Sequence, residues 1–162
     1  ESASVCQGDV VDVAFLPQIN EYRGERSVQM NILDIRPTCK AQCSVDTGSY
    51  HALRQGTADA RIARELLPDR DTLVMVWKYL ASVPEGFLEE SPVCLCRKIV
   101  RWSGVPLSLG KLMTCLDIFA DVGLLETRRQ HKEIVIRLHQ WEGKTDLSQS
   151  QTMQQLCALK ES

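Results

Sequence analysis

The sequence of 162 residues predicts an α+β protein, with a β-hairpin followed by a winged-helix-like domain that ends in a C-terminal helix. Two observations predict this class. Residues 9–35 contain two runs of alternating or β-branched side chains separated by turn-forming residues. Residues 91–138 have the pattern of helix, turn, helix and tight hairpin, which is the order of a winged-helix module.

The N-terminal hairpin has an expected first strand over residues 9–16 and a second over Ser27–Ile35. Pro17–Gly24 supplies turn-forming residues and is expected to form a long loop. Alternation in the second strand assigns Val28, Met30, Ile32 and Asp34 to one side and Gln29, Asn31, Leu33 and Ile35 to the other. Two strands alone are marginal in water, so we expect them to pair with more of this chain or with strands that precede it.

Residues 38–68 are expected to be a linker containing one short helix, best placed at 58–67, before a domain over 69–162. Asp69–Thr72 puts carboxylates at the start of a helix, where its dipole favours them. The apolar stripe of that helix is Leu73, Val76, Trp77 and Leu80. Residues 84–86 end the helix, and Phe87–Glu90 is expected to link it to the next one.

The winged-helix pattern begins at Ser91, an N-cap followed by proline at the first helical position. Ser108 caps a second predicted helix, which Gly123 ends. Strands are expected at 124–127 and 134–138 around the charged turn Arg128–Lys132. A last amphipathic helix is expected over 147–159, with Leu147, Met153, Leu156 and Leu159 on its apolar side.

Charge is distributed unevenly along this chain. The formal net charge is −2, but residues 91–138 hold eight Lys and Arg against four Asp and Glu. A basic segment in an acidic chain indicates phosphate contact or an ordinary solvated surface, and composition leaves both open. No apolar run is long enough to span a bilayer, so no membrane partner is expected. Seven cysteines, an odd number, favour a reduced, cytoplasmic protein.

Catalytic and metal-binding patterns are weak. Cys39 and Cys43, with His51 nearby, lack the second close pair of ligands that a zinc site needs. Cys94 and Cys96 would point in different directions from one helix and are best interpreted as buried thiols. The few histidines have no neighbouring aspartate to hold catalytic metal ions, and no nucleotide-binding or hydrolase motif is present. We expect neither a catalytic residue nor a metal ligand in this chain.

Nucleic-acid contact is the remaining hypothesis. The 108–122 helix is expected to expose Gly110, Lys111, Thr114, Asp117 and Asp121, a nearly acidic surface that disfavours major-groove reading. Cations lie elsewhere: Arg97, Lys98 and Arg101 on the preceding helix, and Arg128, Arg129 and Lys132 at the second hairpin. In the first hairpin, Tyr22, Arg23 and Arg26 combine a stacking ring with two guanidinium groups, as single-strand binders do. The alternative for each group is a solvated surface.

The segment VDVAFLPQINEYRGERSVQMNILDIRP resembles the closing strands of the OB domain in RecJ single-stranded-DNA-specific exonucleases. The matching features are Asn20, Gly24, Gln29 and the ending Asp34–Pro37. The segments SPVCLCRKIVRWSG and PLSLGKLMTCLDIFADVGLLE are similar to an extra C-terminal domain found in some bacterial members.

This resemblance implies a non-catalytic fragment of a 5′–3′ exonuclease active in DNA repair and recombination. Residues 1–37 would be the end of an OB domain, and any Mn²⁺ or Mg²⁺ would belong to upstream parts of the parent enzyme. Implied partners are single-stranded DNA, together with single-stranded-DNA-binding protein or the catalytic core of the parent. A stand-alone protein-interaction winged-helix module and a winged-helix DNA-binding regulator are the alternatives.

Overall fold

The computed structural model describes residues 5, 11–22, 24–37, 46–130, 132–140, 143 and 145–161. Over these residues the chain is an α+β protein with six α-helices and two antiparallel sheets. It divides into two compact units, Glu1–Lys40 and Ala41–Ser162, which we call the hairpin unit and the helical unit. No helix in the described ranges is long and apolar enough to cross a membrane.

The hairpin unit contains strands β1 (Val11–Tyr22) and β2 (Glu25–Pro37), which pair antiparallel along their whole length. Gly24, immediately before β2, has a φ of +83°, a conformation that glycine adopts without strain. The expected loop over 17–24 is therefore wrong, because residues 17–22 continue β1. Pro17 is tolerated because a two-stranded ribbon has edges that need no amide donor.

A bulge in β2 changes which side chains share a face. The register shifts so that Leu33 is an extra residue in β2. Because an inserted residue shifts the alternation beyond it, Ile35 joins the face that carries the apolar residues of 28–32. Asp34 moves to the opposite face. The uninterrupted alternation expected from the sequence assigns both residues the other way.

The helical unit contains all six helices of the described residues and the second sheet. The helices are α1 (Gly48–Arg54), α2 (Ala60–Leu66), α3 (Arg70–Ala81), α4 (Pro92–Ser103), α5 (Leu109–Asp121) and α6 (Gln151–Glu161). The strands are β3 (Phe87–Glu90), β4 (Leu125–Gln130) and β5 (Glu133–Leu138). Short 3₁₀ turns occupy Pro84–Gly86 and Leu147–Gln149.

Side-chain caps fix the starts of α2, α3 and α5, and also that of α6, where the Ser150 hydroxyl accepts a hydrogen bond from the Met153 amide. The carboxylates of Asp59 and Asp69 accept hydrogen bonds from the first turns of α2 and α3, and the Ser108 hydroxyl accepts one at α5. These bonds satisfy backbone amides that have no partner within the helix. The hydrogen bonds to Thr72 lower the pKa of Asp69. The predicted positions of α3, α4 and α5 are confirmed to within a few residues.

The second sheet has the strand order β3-β5-β4. Residues 87–90, expected to be a linker, form its edge strand, and Leu88 faces Ile136 across the pair. Strand β4 also runs further than expected: Arg128 and Arg129 lie within it, so the charged turn is only the two residues between Gln130 and Glu133. Backbone pairing with β5 replaces the wider turn.

Helix α5 lies at the centre of the helical unit. Helices α1, α2, α3, α4 and α6 and strand β4 all contact it. Leu112, Cys115 and Ile118 have no exposed surface, and Leu116 and Phe119 have 1%. A helix buried on this many sides must be largely apolar, as α5 is.

The region expected to be a linker, residues 38–68, has more structure than predicted where it is described. It contains two helices, α1 and α2, and both pack on α5. The C-terminal helix begins at Gln151 rather than 147, because Leu147–Gln149 forms a 3₁₀ turn. Its predicted apolar side is confirmed, since Leu156 is fully buried and Met153 and Leu159 pack against the core.

Candidate nucleic-acid interface

The two faces of the β1–β2 hairpin differ sharply in polarity. Opposed residues of an antiparallel pair share a face, and successive pairs alternate. The pairs Phe15–Ile32 and Ile19–Val28 therefore lie on one side, with Pro17 between them. We call this side the apolar face; it comprises Val11, Val13, Phe15, Pro17, Ile19, Val28, Met30, Ile32 and Ile35.

The apolar face is exposed over most of its length. Ile19 is 77% exposed and Val28 is 73% exposed, and Met30 and Ile32 are each more than half exposed. The opposite, polar face carries mainly amides and carboxylates, such as the pair Gln18–Gln29. An uncovered apolar patch of this extent is typical of a surface that another part of an assembly covers.

The tip of the hairpin carries the residues predicted to contact a single strand. Tyr22 is 70% exposed and faces Glu25, whereas Arg26 faces Glu21 in the preceding pair. Successive pairs alternate, so the Tyr22 ring and the Arg26 guanidinium lie on opposite faces. The structure does not bring them together on one surface. Arg23 lies outside the described residues.

Arg26 already has an acidic partner. Its Nε donates a hydrogen bond of 3.2 Å to Oε2 of Glu21, and both side chains are mostly exposed. An exposed pair of this kind is worth little and exchanges readily with solvent. A phosphate would therefore compete with the Glu21 carboxylate for the Arg26 guanidinium.

At the β4–β5 hairpin, the predicted cations also divide between two faces. Arg128 is opposite Val135, and Arg129 is opposite Ile134, whose side chain is buried in the core. Arg128 therefore points away from the core side of the sheet, whereas Arg129 lies on that side. Lys132 lies in the turn and is exposed.

Arg129 is held by a network that begins at Tyr50. Its Nη2 donates to the Tyr50 hydroxyl at 2.6 Å, and its guanidinium carbon lies 5.4 Å from the centre of the Tyr50 ring. The same hydroxyl donates to Oδ2 of Asp117 at 2.7 Å, and Arg54 Nη1 lies 3.7 Å from that oxygen. The network joins α1, α5 and β4.

Burial controls the ionisation of this network. It raises the pKa of Tyr50, and the hydrogen bond to Asp117 raises that pKa further, so the phenol stays protonated as a donor. Burial also raises the pKa of Asp117, although the hydrogen bond from Tyr50 and the nearby Arg54 and Arg129 act in the opposite direction. The network thus contains one carboxylate and two guanidinium groups, and the Tyr50 phenol lies between Asp117 and Arg129.

A notch of about 180 Å³ opens beside this network. Arg129, Lys132 and His51 line it, together with Glu133 and the apolar side chains of Leu109 and Met113. Arg129 and Lys132, which are predicted from the sequence to act together, both line the notch, and His51 of α1 joins them. The cationic side chains of Arg129 and Lys132 can hold a phosphate oxygen at this notch, with Glu133 opposing them.

The outer side of α5 is covered rather than exposed. Thr114 has no exposed surface, and a Cβ on Gly110 would lie 3.1 Å from Cδ2 of Leu66. Asp117 binds Tyr50, and Asp121 accepts hydrogen bonds from α6. The expectation of exposure is wrong for Gly110 and Thr114, which are buried; Leu66 of α2 and Tyr50 of α1 lie against Gly110.

The cysteines do not form a metal centre among the described residues. No group of three or more His, Cys, Asp or Glu there could hold an ion. Cys94 is disulfide-bonded, so its interpretation as a free buried thiol is wrong, whereas Cys96 is confirmed as a buried thiol. Burial raises the pKa of the Cys115 thiol to about 12, which makes it unreactive. Cys39 and Cys43 lie outside the described residues.

Sequence reasoning missed Tyr50, the buried residue that holds the candidate cation Arg129. It lies 67 positions from Asp117 and 79 from Arg129, so no local pattern relates them. A tyrosine followed by apolar Leu53 in a short helix was the only local signal that its ring is buried. No protein-family model, curated protein or solved structure matches this chain.

Proposed function

We propose that this chain is a non-catalytic C-terminal region of a RecJ-like 5′–3′ single-stranded-DNA exonuclease, a hydrolase of DNA repair and recombination. Its contribution would be contact with the single strand and docking of a partner. The observation that carries the proposal is the β1–β2 hairpin, whose apolar face is exposed while its tip carries Tyr22 and Arg26.

The apolar face supports an origin in an OB barrel. A barrel strand alternates between side chains that fill the interior and side chains that face solvent. The hairpin has this division along both strands, and its bulge keeps Ile35 on the apolar side. In the proposed parent, the other strands of the OB domain cover the apolar face, and the tip lies at the rim of the barrel.

The element order in residues 70–138 supports a winged-helix fold for the helical unit. Helix α3 is followed by the edge strand β3, then by α4, α5 and the β4–β5 hairpin, and β5 is the central strand. A helix-turn-helix followed by a two-stranded wing has this arrangement. Helices α1, α2 and α6 would be additions to that module.

These additions argue against the alternative of a winged-helix DNA-binding regulator. Such a regulator inserts its recognition helix into the major groove. Here α5 holds that position in the chain, but α1, α2 and α6 contact its outer side. A covered helix that presents Asp117 and Asp121 cannot read base edges. We therefore assign the helical unit to docking rather than to sequence reading.

Two sets of cations would contact the strand. The first is Arg23 and Arg26 with Tyr22 at the hairpin tip, and the second is Arg128, Arg129 and Lys132 at the wing. Because Tyr22 and Arg26 lie on opposite faces, a strand would pass over the tip to reach both. Any Mn²⁺ or Mg²⁺ would belong to the catalytic domains of the parent.

The partner of the helical unit would be the catalytic core of the parent or single-stranded-DNA-binding protein. The alternative of a stand-alone protein-interaction module rests on one observation, the neutral or acidic character of the outer side of α5 together with its three covering helices. Binding to a protein that does not change with salt, without any DNA binding, would favour this alternative.

The test is fluorescence anisotropy of a labelled oligo-dT across a salt series, with the chain as it stands. We expect weak binding that falls with salt, with a logarithmic slope that decreases by about 0.7 for each phosphate contact removed. Arg23→Ala with Arg26→Ala should weaken binding and reduce the slope. A second pair, Arg128→Ala with Lys132→Ala, tests the wing separately.

Two further variants complete the test, one expected to raise the affinity for the strand and one expected to leave it unchanged. Glu21→Gln frees Arg26 from its ion pair and removes a negative charge, so it should tighten binding. The matched control, Arg61→Ala with Arg64→Ala, removes two exposed positive charges from α2 and should change the affinity little. The absence of binding at low salt, or equal losses in control and tip variants, would contradict the assignment of strand contact to the tip.

A further inference from the structure

A groove of about 580 Å³ lies in the helical unit and shares no described lining residue with the notch beside Arg129. Its volume is within the range of small-molecule sites, roughly 300–1,000 Å³. The described apolar lining comes from α3, α5, α6 and the segments around them: Leu73, Trp77, Phe119, Leu124, Leu147 and Met153. A winged-helix fold by itself assigns no function to this groove.

The floor of the groove contains an aromatic pair. The rings of Trp77 and Phe119 meet edge to face, with their centres 5.4 Å apart and their planes at 65°. Phe119 is 1% exposed and therefore fixed, whereas Trp77 is only partly buried and keeps surface towards the groove. The exposed part of the Trp77 ring, held in place by Phe119, provides an apolar surface for an aromatic ring or an alkyl chain.

One end of the groove carries a cation. Arg70, Leu73, Val74 and Trp77 recur at helical spacing, so they lie along one side of α3. Seven residues of helix place Arg70 about 10 Å along the axis from Trp77. Arg70 is exposed and has no ion pair among the described residues.

The other polar groups of the lining differ in whether they have hydrogen-bond partners. Oδ1 of Asp146 accepts hydrogen bonds from the amide and the hydroxyl of Ser148, at 3.0 Å and 2.6 Å. The hydroxyl of Thr145, in contrast, is buried and has no hydrogen-bond partner among the described residues. Because it is shielded from solvent, it offers no polar contact inside the groove, and Arg70 is the cation available to an anionic ligand there.

We propose that this groove binds a small amphipathic carboxylate. Its apolar or aromatic body lies against Trp77 and Phe119, and its carboxylate pairs with the Arg70 guanidinium, the geometry to which arginine is suited. The distance along α3 limits the ligand to about 10 Å, the length of a ring with a short acid chain.

The probe is 4-phenylbutyrate, with 4-phenylbutanamide as its neutral counterpart, titrated into the ¹⁵N-labelled chain and followed by NMR. We expect saturable shifts at the amides of Leu73, Trp77, Phe119 and Leu147. Arg70→Ala should weaken the affinity for the carboxylate about tenfold and leave that for the amide nearly unchanged. The control Arg64→Ala removes an exposed arginine from α2, outside the groove, and should bind like the wild type.

Thr145→Val is a second control, made within the lining and without a change of charge. It should bind 4-phenylbutyrate like the wild type and raise the melting temperature, because it removes a buried hydroxyl that has no partner among the described residues. Unchanged spectra, shifts that map elsewhere, or equal affinity of the wild type and Arg70→Ala would overturn the proposal. Because the probe is not a nucleic acid, these outcomes are independent of the oligo-dT experiment.

Discussion

The hydroxyl of Tyr50 donates a hydrogen bond of 2.7 Å to Oδ2 of Asp117, and this contact joins α1 to the central helix α5. The Tyr50 side chain is 1% exposed, so the bond is made in a poorly solvated site. There each hydrogen bond is stronger, and each lost partner is more costly, than at the surface. The residues before α3 are therefore an integral part of the helical unit.

Tyr50→Phe should destabilise the helical unit by about 1–3 kcal/mol, because it leaves the half-buried Asp117 carboxylate without its closest donor. It also removes the acceptor for Arg129 Nη2. Urea unfolding followed by circular dichroism measures the change. The matched control is Tyr79→Phe, because the Tyr79 hydroxyl has no hydrogen bond among the described residues. Equal losses in both variants would contradict the role of the network.

Local sequence patterns predict those helices that have a capping residue and apolar side chains at helical spacing. Capping residues at Asp69 and Ser108, and apolar residues at helical spacing, identified α3 and α5. Strand β3 was missed because its four residues, FLEE, have no alternation long enough to detect. The second hairpin is predicted at the right place, but its predicted turn is too long. Charged residues occur in exposed strands as well as in turns, so the sequence alone does not separate the two.

Asp121→Ala should destabilise the chain by about 1–2 kcal/mol at neutral pH, since it removes a cap of α6. Its Oδ2 accepts hydrogen bonds of 2.8 Å from the Ser150 hydroxyl and from the Thr152 amide. Burial raises the pKa of Asp121, but these hydrogen bonds outweigh it, and the net pKa is below the ordinary value. Helix α6 is thereby tied to the end of α5.

The pH dependence of this effect follows from the lowered pKa. A carboxyl group whose pKa is lower in the folded state stabilises the fold above its unfolded pKa and loses that effect as pH falls through the folded value. The difference between wild type and Asp121→Ala should therefore be constant near neutrality and shrink below about pH 4. Glu89→Ala, an exposed strand residue, is the control. A difference that persists at pH 2 would contradict the explanation.

Gly110→Leu should destabilise the helical unit by about 1–3 kcal/mol or more, because side-chain atoms would enter the packed junction of α1, α2 and α5. A Cβ there already lies 3.1 Å from Cδ2 of the buried Leu66 and 3.6 Å from Cβ of Tyr50. Gly110→Ala should stay within about 1 kcal/mol of the wild type, because the gain in helix propensity offsets that close contact.

The neighbouring residue provides the control for this test. Lys111→Leu makes a similar change at a partly exposed position of the same helix and should cost little. Thermal and urea unfolding of the variants measure the effect. If Gly110→Leu and Lys111→Leu were equally stable, the junction would not be packed as described.

The candidate site was harder to predict than the fold, because its geometry depends on which face each side chain occupies. Tyr22 and Arg26 are close in sequence, yet the register puts them on opposite faces. Arg128 and Arg129 are neighbours that point to opposite sides of the sheet, and only Arg129 reaches Tyr50. The composition identifies the cations but does not show on which face of its sheet each one lies, because the register between paired strands decides that.

The apolar face of the β1–β2 hairpin should make the isolated chain self-associate as its concentration rises, because exposed apolar surface is removed from water on contact. Ile19→Thr with Val28→Thr keeps β-branched residues in the strands and should reduce that association, as measured by sedimentation velocity. Gln18→Thr with Gln29→Thr changes the adjacent pair on the polar face and should leave it unaltered. Association that is equally sensitive to both double variants would mean that the two faces contribute alike, contrary to the register.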